Sequence, residues 1–209
     1  MSHRRTAQVS GRHCRETGQG LVEFALVFPL FIVLTLFIIE FAFVFSALLG
    51  VNYASRNAAL TAAEAGHDSL ADCVILQQVD DSIGAPGNKA NITTVTIYRS
   101  DQSGSARLET LTYARGGSTT CTGKATLSVP YTKTGGTYTS DQRCDEILPA
   151  GGAYLVGTRC QMLGRTHIDT IGIEITYQHS WVTPIRNFGL AGTGATLTQS
   201  NAMRMEPIL

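Results

Sequence analysis

The chain has 209 residues and a formal net charge of zero, room for one ordinary domain and an extension. Charged residues make up only 15% of it, low for a soluble domain, and glycine, serine, threonine and alanine are abundant. Zero net charge gives no electrostatic footing for nucleic acid, and no block of like charge marks a disordered acidic or basic tail.

The first eighteen residues carry Arg4, Arg5, Arg12 and Arg15 against Glu16 alone. An apolar run follows, in which Glu23 and Glu40 are the only ionisable side chains between Leu21 and Val51. As a helix this run is about 46 Å long, whereas a bilayer core needs about 20 residues. It is too long for the core helix of a soluble domain and about twice the apolar region of a cleavable secretory signal. A single membrane span is therefore expected. Beyond it, Arg56 is the first cation and Lys89 the next. The excess of arginine ahead of the span places the N-terminus in the cytoplasm and the rest of the chain outside.

The span opens on Gly18-Gln-Gly-Leu-Val-Glu-Phe24. A carboxylate at the cytoplasmic end of a helix suits the headgroup zone and the positive end of the helix dipole. That accounts for the charge of Glu23 but not for a glycine five residues before it, behind an arginine-rich leader. This glycine, four residues, then Glu23 and the aromatic Phe24 resemble the site cut by prepilin peptidases. The continuation Ala25-Leu-Val-Phe-Pro-Leu30, the later Ile38-Ile-Glu-Phe-Ala42, the alanine-rich Tyr53–Ala59 and the tail Ser200–Pro207 resemble the TadE-like minor pilins, or pseudopilins, of the tight-adherence (Flp) pilus system.

The resemblance implies cleavage after Gly18 by a membrane-embedded aspartyl peptidase, which leaves Gln19 as the mature N-terminus. It divides the chain into a leader, 1–18, a transmembrane helix with its extension, 19–66, and an extracytoplasmic domain, 67–209. It implies that Glu23 meets the freed α-amine of a neighbouring subunit, since an unpaired carboxylate is costly in lipid. Other pilins and the inner-membrane assembly platform are the implied partners, and no cofactor and no enzymatic activity are implied. Glu40, seventeen residues on, reads either as an interfacial carboxylate reaching water or as a contact to another assembly protein. Pro29 frees the Ala25 carbonyl and favours a bend.

Past the span, Ala54, Ala58 and Ala62 recur every four residues and Ala65 follows, a small-residue face that lets a neighbouring element approach closely. Gly66 is expected to end this helix. A second helix is expected from Ser69, with Asp72 completing a capping box; Leu76, Val79 and Ile83 share its face and Gly84-Ala-Pro-Gly87 ends it. Strands are expected over Ile92–Tyr98, Leu108–Tyr113, Ile171–Tyr177 and Ala195–Met205, the first two joined across the Asp101–Ser105 turn. Four strands on the long helix make a pilin-like α+β domain with a small antiparallel sheet. Residues 115–165, rich in glycine and threonine with no clear period, read as a long loop insertion with short strands.

Cys14 falls in the leader. Cys73, Cys121, Cys144 and Cys160 remain for an oxidising compartment, where four cysteines allow three pairings. Cys121–Cys144 within the insertion and Cys73–Cys160 tying it to the helix are the expected pair. No Cys-x-x-Cys spacing supports zinc. His67, His167 and His179 show no catalytic spacing, and His167 and Asp169 beside Arg165 suit a polar turn better than a proton relay. The glycine loops Gly84–Lys89 and Gly192–Gly194 lack the pattern of a phosphate cradle. The rival to a pilin is an uncleaved, single-span anchored binding domain.

Overall fold

The computed structural model describes residues 16–85, 87–104, 106–150, 153–183 and 194–206. Residues 1–15 of the arginine-rich leader with Cys14, Pro86, Ser105, Gly192 and Thr193 of the second glycine loop, and Pro207 of the tail motif lie outside the described residues. The chain divides into two compact units, 1–42 and 43–209, with the boundary inside the first helix.

That helix, α1 (Glu16–Ala65), runs through Pro29 without ending. In the first unit it is apolar on every side: Leu21, Val22, Phe24, Leu26, Val27, Leu30, Phe31 and Ile38 are all exposed. A helix apolar all round has no polar face for water, so its solvent is lipid or other protein. It is long and apolar enough to cross a membrane.

In the second unit α1 changes character. Ala47, Val51, Ala54, Ala58, Ala59, Ala62 and Ala63 are buried, on one face and with small side chains, so the helix lies close against its neighbours. It stops at Gly66, whose φ of +54° is the left-handed conformation that glycine adopts without a Cβ penalty.

Helix α2 (Ala71–Ser82) follows. It begins two residues later than the spacing suggests, and no side chain caps Leu70. Asp68 instead accepts from the Leu70 amide at 2.8 Å, which starts the turn, and Asp72 is drawn into a buried network described below. Ile75, Leu76 and Val79 are fully buried and Ile83 is 7% exposed, the face expected from their spacing.

The main sheet has five antiparallel strands, not four, in the order β3-β2-β1-β6-β7. These are β1 (Ile92–Ser100), β2 (Arg107–Thr122), β3 (Thr126–Gly136), β6 (Thr170–Ser180) and β7 (Gly194–Arg204). Between β3 and β6 come the hairpin β4 (Ile147–Ala150) and β5 (Ala153–Val156) and the short helix α3 (Thr158–Met162). The stretch 115–165 therefore holds more than the short strands expected in a loop insertion: the end of β2 and all of β3 pair in the main sheet. It hides from a period-two reading because it has few inward apolar side chains and because β2 and β3 slip register at Thr112/Tyr113, where one extra residue reverses the alternation of β3, and again at Arg115/Thr119.

Inward side chains of the sheet, Val95 and Ile97, Leu111 and Tyr113, Ile171, Ile173, Ile175 and Tyr177, join the alanine face of α1 and the apolar face of α2 in one core. On the other face Tyr98 lies over Gly172, where an added Cβ would stand 2.2 Å from the ring. The Arg107 guanidinium sits 4.8 Å from the centre of that ring and pairs with Glu174.

Two disulfides brace the domain, and neither is the expected pair. Cys73 joins Cys121 and Cys144 joins Cys160. The physical reason is the extra pairing. Because β2 continues to Thr122, its far end carries Cys121 back to the first turn of α2. The β4–β5 register, Ile147 opposite Val156, brings the flanking residues Cys144 and Cys160 together.

Candidate functional site: the opening of the apolar helix

Gly18, Gln19, Glu23 and Phe24 lie on the first turns of α1, all exposed. A glycine inside a helix costs about 1 kcal/mol against alanine. The usual compensation is close packing or a positive φ, and neither applies here. Among the described residues, and leaving aside the helix's own backbone, no atom lies within 4 Å of a Cβ built at Gly18 or at Gly20, and neither has a positive φ. Nothing in the described fold requires glycine at these two positions.

Glu23 lies one turn on, where the Gln19 side-chain amide donates to it at 3.1 Å. Along the axis the two residues are separated by about 6 Å. Residue 19 and the carboxylate therefore share a face. Phe24 stacks on Phe28 with ring centres 5.0 Å apart, which stiffens this turn just ahead of Pro29. Pro29 removes one backbone donor, and farther on the Thr35 hydroxyl gives its proton to the Phe31 carbonyl at 2.8 Å. Glu40 is 3% exposed and engaged, in a helix whose other large side chains in this unit are open apart from the half-buried Leu36.

In the second unit the polar residues gather where α1 ends. Asp145 is fully buried and takes two hydrogen bonds from His67, from its backbone N–H at 2.8 Å and from Nδ1 at 2.8 Å. Arg143, also fully buried, donates to the Gly66 carbonyl at 3.2 Å and pairs with Asp72, which in turn accepts from the Tyr113 hydroxyl at 2.9 Å. Burial, then the neighbouring Asp72 charge, pushes the Tyr113 hydroxyl well above the ordinary range, so it stays a donor. The run Arg143-Cys144-Asp145 thus clamps the helix end and the start of α2. Two opposite charges flanking a cysteine inside a glycine-rich stretch were the available signal for this clamp.

A second cluster joins β1, β2 and the turn before β6. Arg99 and Arg165 both donate to Glu109, at 3.1 and 2.8 Å. Burial alone would raise the Glu109 carboxyl, but the bonds from Arg165 and Arg99 outweigh it and leave it low. Asp169, two residues from His167, accepts from the Cys144 amide at 3.0 Å and the Tyr138 hydroxyl at 3.1 Å, and burial holds its carboxyl high. Its oxygens are spent on holding the Cys144 segment to β6, a bracing role. His179 packs edge-on to Trp181 at 5.9 Å, and Tyr177 is core, its hydroxyl accepting from the Asn88 amide at 3.1 Å.

Residues 18–60 match the family model described as TadE-like protein. The match starts at the unexplained glycine and ends within α1. No curated protein and no solved structure is significantly similar to the chain.

Proposed function

From the TadE-like residues 18–60, a pattern of tight-adherence pilus systems, we propose that the chain is a minor pilin or pseudopilin processed after Gly18. The observation that carries the reading is the pair of exposed helical glycines that packing does not explain, directly ahead of Glu23 on an all-round apolar helix. A peptidase acting there meets no side chain at the cut and a locally weakened helix.

Cleavage removes the arginine-bearing leader and creates an α-amine at Gln19. That amine and Glu23 of a neighbouring chain neutralise each other in a medium where each alone is costly. The pair then fixes the axial register between subunits. While the chain waits in the membrane, lipid covers the apolar helix; in the assembled fibre, neighbouring helices cover it. The N-terminus faces the cytoplasm and the sheet domain lies outside, where two disulfides persist. The domain works by packing and carries no reaction of its own. Its partners are the prepilin peptidase, other pilins and the assembly platform.

Mass spectrometry of the chain recovered from membranes tests the reading. A mature N-terminus at Gln19 is the expected result. A chain that keeps its arginine leader in cells with the intact machinery overturns it, and leaves the uncleaved, single-span anchored domain.

A further inference from the structure

Cleavage after Gly18 makes a glutamine the first residue, and a glutamine in that position has a reaction open to it. The α-nitrogen, in its neutral form, attacks the side-chain carbon Cδ. A bond forms between N and Cδ and the Cδ–Nε2 bond breaks. Ammonia leaves, made of Nε2, its own hydrogens and one hydrogen from the amine. Nothing is oxidised or reduced, and no other reactant enters. The product is a lactam without charge. The amine that meets Glu23 of a neighbouring chain is then gone, and that carboxylate is left unpaired in lipid.

The opening turn of α1 opposes this ring closure. Closing the ring requires the side chain of residue 19 to curl back over its own nitrogen. Instead Gln19 Nε2 donates to Glu23 Oε1 at 3.1 Å, one turn farther along the helix. Helical side chains lean towards the N-terminus, so the Glu23 carboxylate leans back to meet a carboxamide that reaches forward, away from the backbone nitrogen. From Gly20 to Leu34 Glu23 is the only polar side chain, so no other side-chain acceptor lies ahead of Gln19 over these turns. Glu16 and Thr17, behind it, depart with the leader. Helix propensity does not hold the terminal residue either, because a glycine, Gly20, follows it.

We propose that Glu23 is a positioning residue that keeps the mature N-terminus open: its carboxylate holds the Gln19 carboxamide extended and so slows lactam formation. The proposal rests on the processing reading, which creates the amine. It gives Glu23 two duties that do not compete. Oε1 takes the carboxamide of its own chain, and a carboxylate has further lone pairs for the amine of another. It also fits the spacing, since residues four apart are those whose side chains meet on a helix.

The test follows ring closure itself. In the full chain residues 1–18 are exchanged for the recognition sequence of a site-specific protease that cuts directly ahead of Gln19, and the chain is cut in detergent micelles. Intact mass followed over days reads the loss of one ammonia, and fragment masses assign it to residue 19. Glu23→Ala should close about tenfold faster than the parent, the factor that a hydrogen bond to a charged group is worth. Glu23→Gln, whose neutral carbonyl still accepts, should fall between the two. Circular dichroism checks that the helix is unchanged. Where Glu23→Ala loses helix, Glu23→Gln, which keeps the side-chain length and a similar helix propensity, decides alone. Rates equal to the parent's, closure in none of the chains, or a parent that closes fastest overturns the proposal. Because the cut is made in vitro, these rates do not depend on a peptidase in cells. Equal rates leave cleavage after Gly18 standing, and a leader retained in cells overturns the processing reading while the rates still decide whether Glu23 guards the terminus.

Discussion

Gly66→Ala attacks the turn that ends α1 in two ways. The residue sits at φ +54°, where an L side chain costs about 1–2 kcal/mol. A Cβ there would stand 1.9 Å from Asp145 Oδ2, so the carboxylate has to move. Moving it loosens the bonds from His67 N–H and Nδ1, each contributing about 1 kcal/mol net. The sum is roughly 2–4 kcal/mol, or about 5–15 °C in Tm for a domain of this size. Thermal unfolding of the full chain in detergent, followed by tyrosine fluorescence, measures it. The double variant Gly66→Ala/Asp145→Ala should lose less than the sum of the single losses, because removing the carboxylate makes room for the methyl. A Tm for Gly66→Ala within about 1 °C of the parent, or strict additivity in the double variant, would refute the clamp.

Three further outcomes follow from the same packing. Gly172→Ala should cost about 1–3 kcal/mol by lifting Tyr98 from the sheet, and Tyr98→Leu should relieve part of that cost; denaturant melts decide. Loss of Cys73–Cys121, which spans 48 residues, should cost about 4 kcal/mol, and loss of Cys144–Cys160, which spans 16, about 3, when the pairs are replaced by alanine; the reverse order in denaturant melts would contradict the chain-entropy argument. Glu109 is held below its ordinary value of 4.5, so its contribution is complete above that pH and lost as pH falls through the lower folded value. Glu109→Gln should therefore weaken the domain at neutral pH and converge with the parent in acid. Asp169, held high, acts with the opposite sign, its cost appearing as pH rises through its raised value.

Periodicity carried α1, α2, β1 and β6 because each buries one face: alanines every four residues, Leu76 and Val79 one turn apart, Ile171, Ile173 and Ile175 alternating. It failed where the backbone slips. Arg115–Thr122 and β3 have few inward apolar side chains, chiefly Val129 and Tyr131, and the bulges interrupt the ladder between them and Leu111 and Tyr113. The disulfide pairing was lost with β3 and the β4–β5 hairpin, since both bridges are set by non-local pairing. Asp72 was read as a helix cap because a local role is what local sequence can show. Its real partners, Arg143 and Tyr113, are far along the chain. The glycine and carboxylate that open the helix were legible as a pattern, and the fold adds that packing does not require the glycine.

That addition separates fold from function in one substitution. Gly18→Leu places a good helix former at an exposed helical position with open space around it. Helix propensity improves by roughly 0.5–1 kcal/mol, so the chain should fold and insert as before or slightly better. A peptidase that needs a bare backbone at the cut should nevertheless stop, and the arginine leader should remain on the chain. Circular dichroism and N-terminal mass spectrometry on the same sample read the two effects independently. A variant that folds normally and is still trimmed to residue 19 would show that the glycine is not the determinant of cutting. One that loses helix would show that the position has a structural role after all. Only an intact fold joined to an intact leader agrees with a glycine kept for a protease, because packing then has no claim on the residue and processing has the only one.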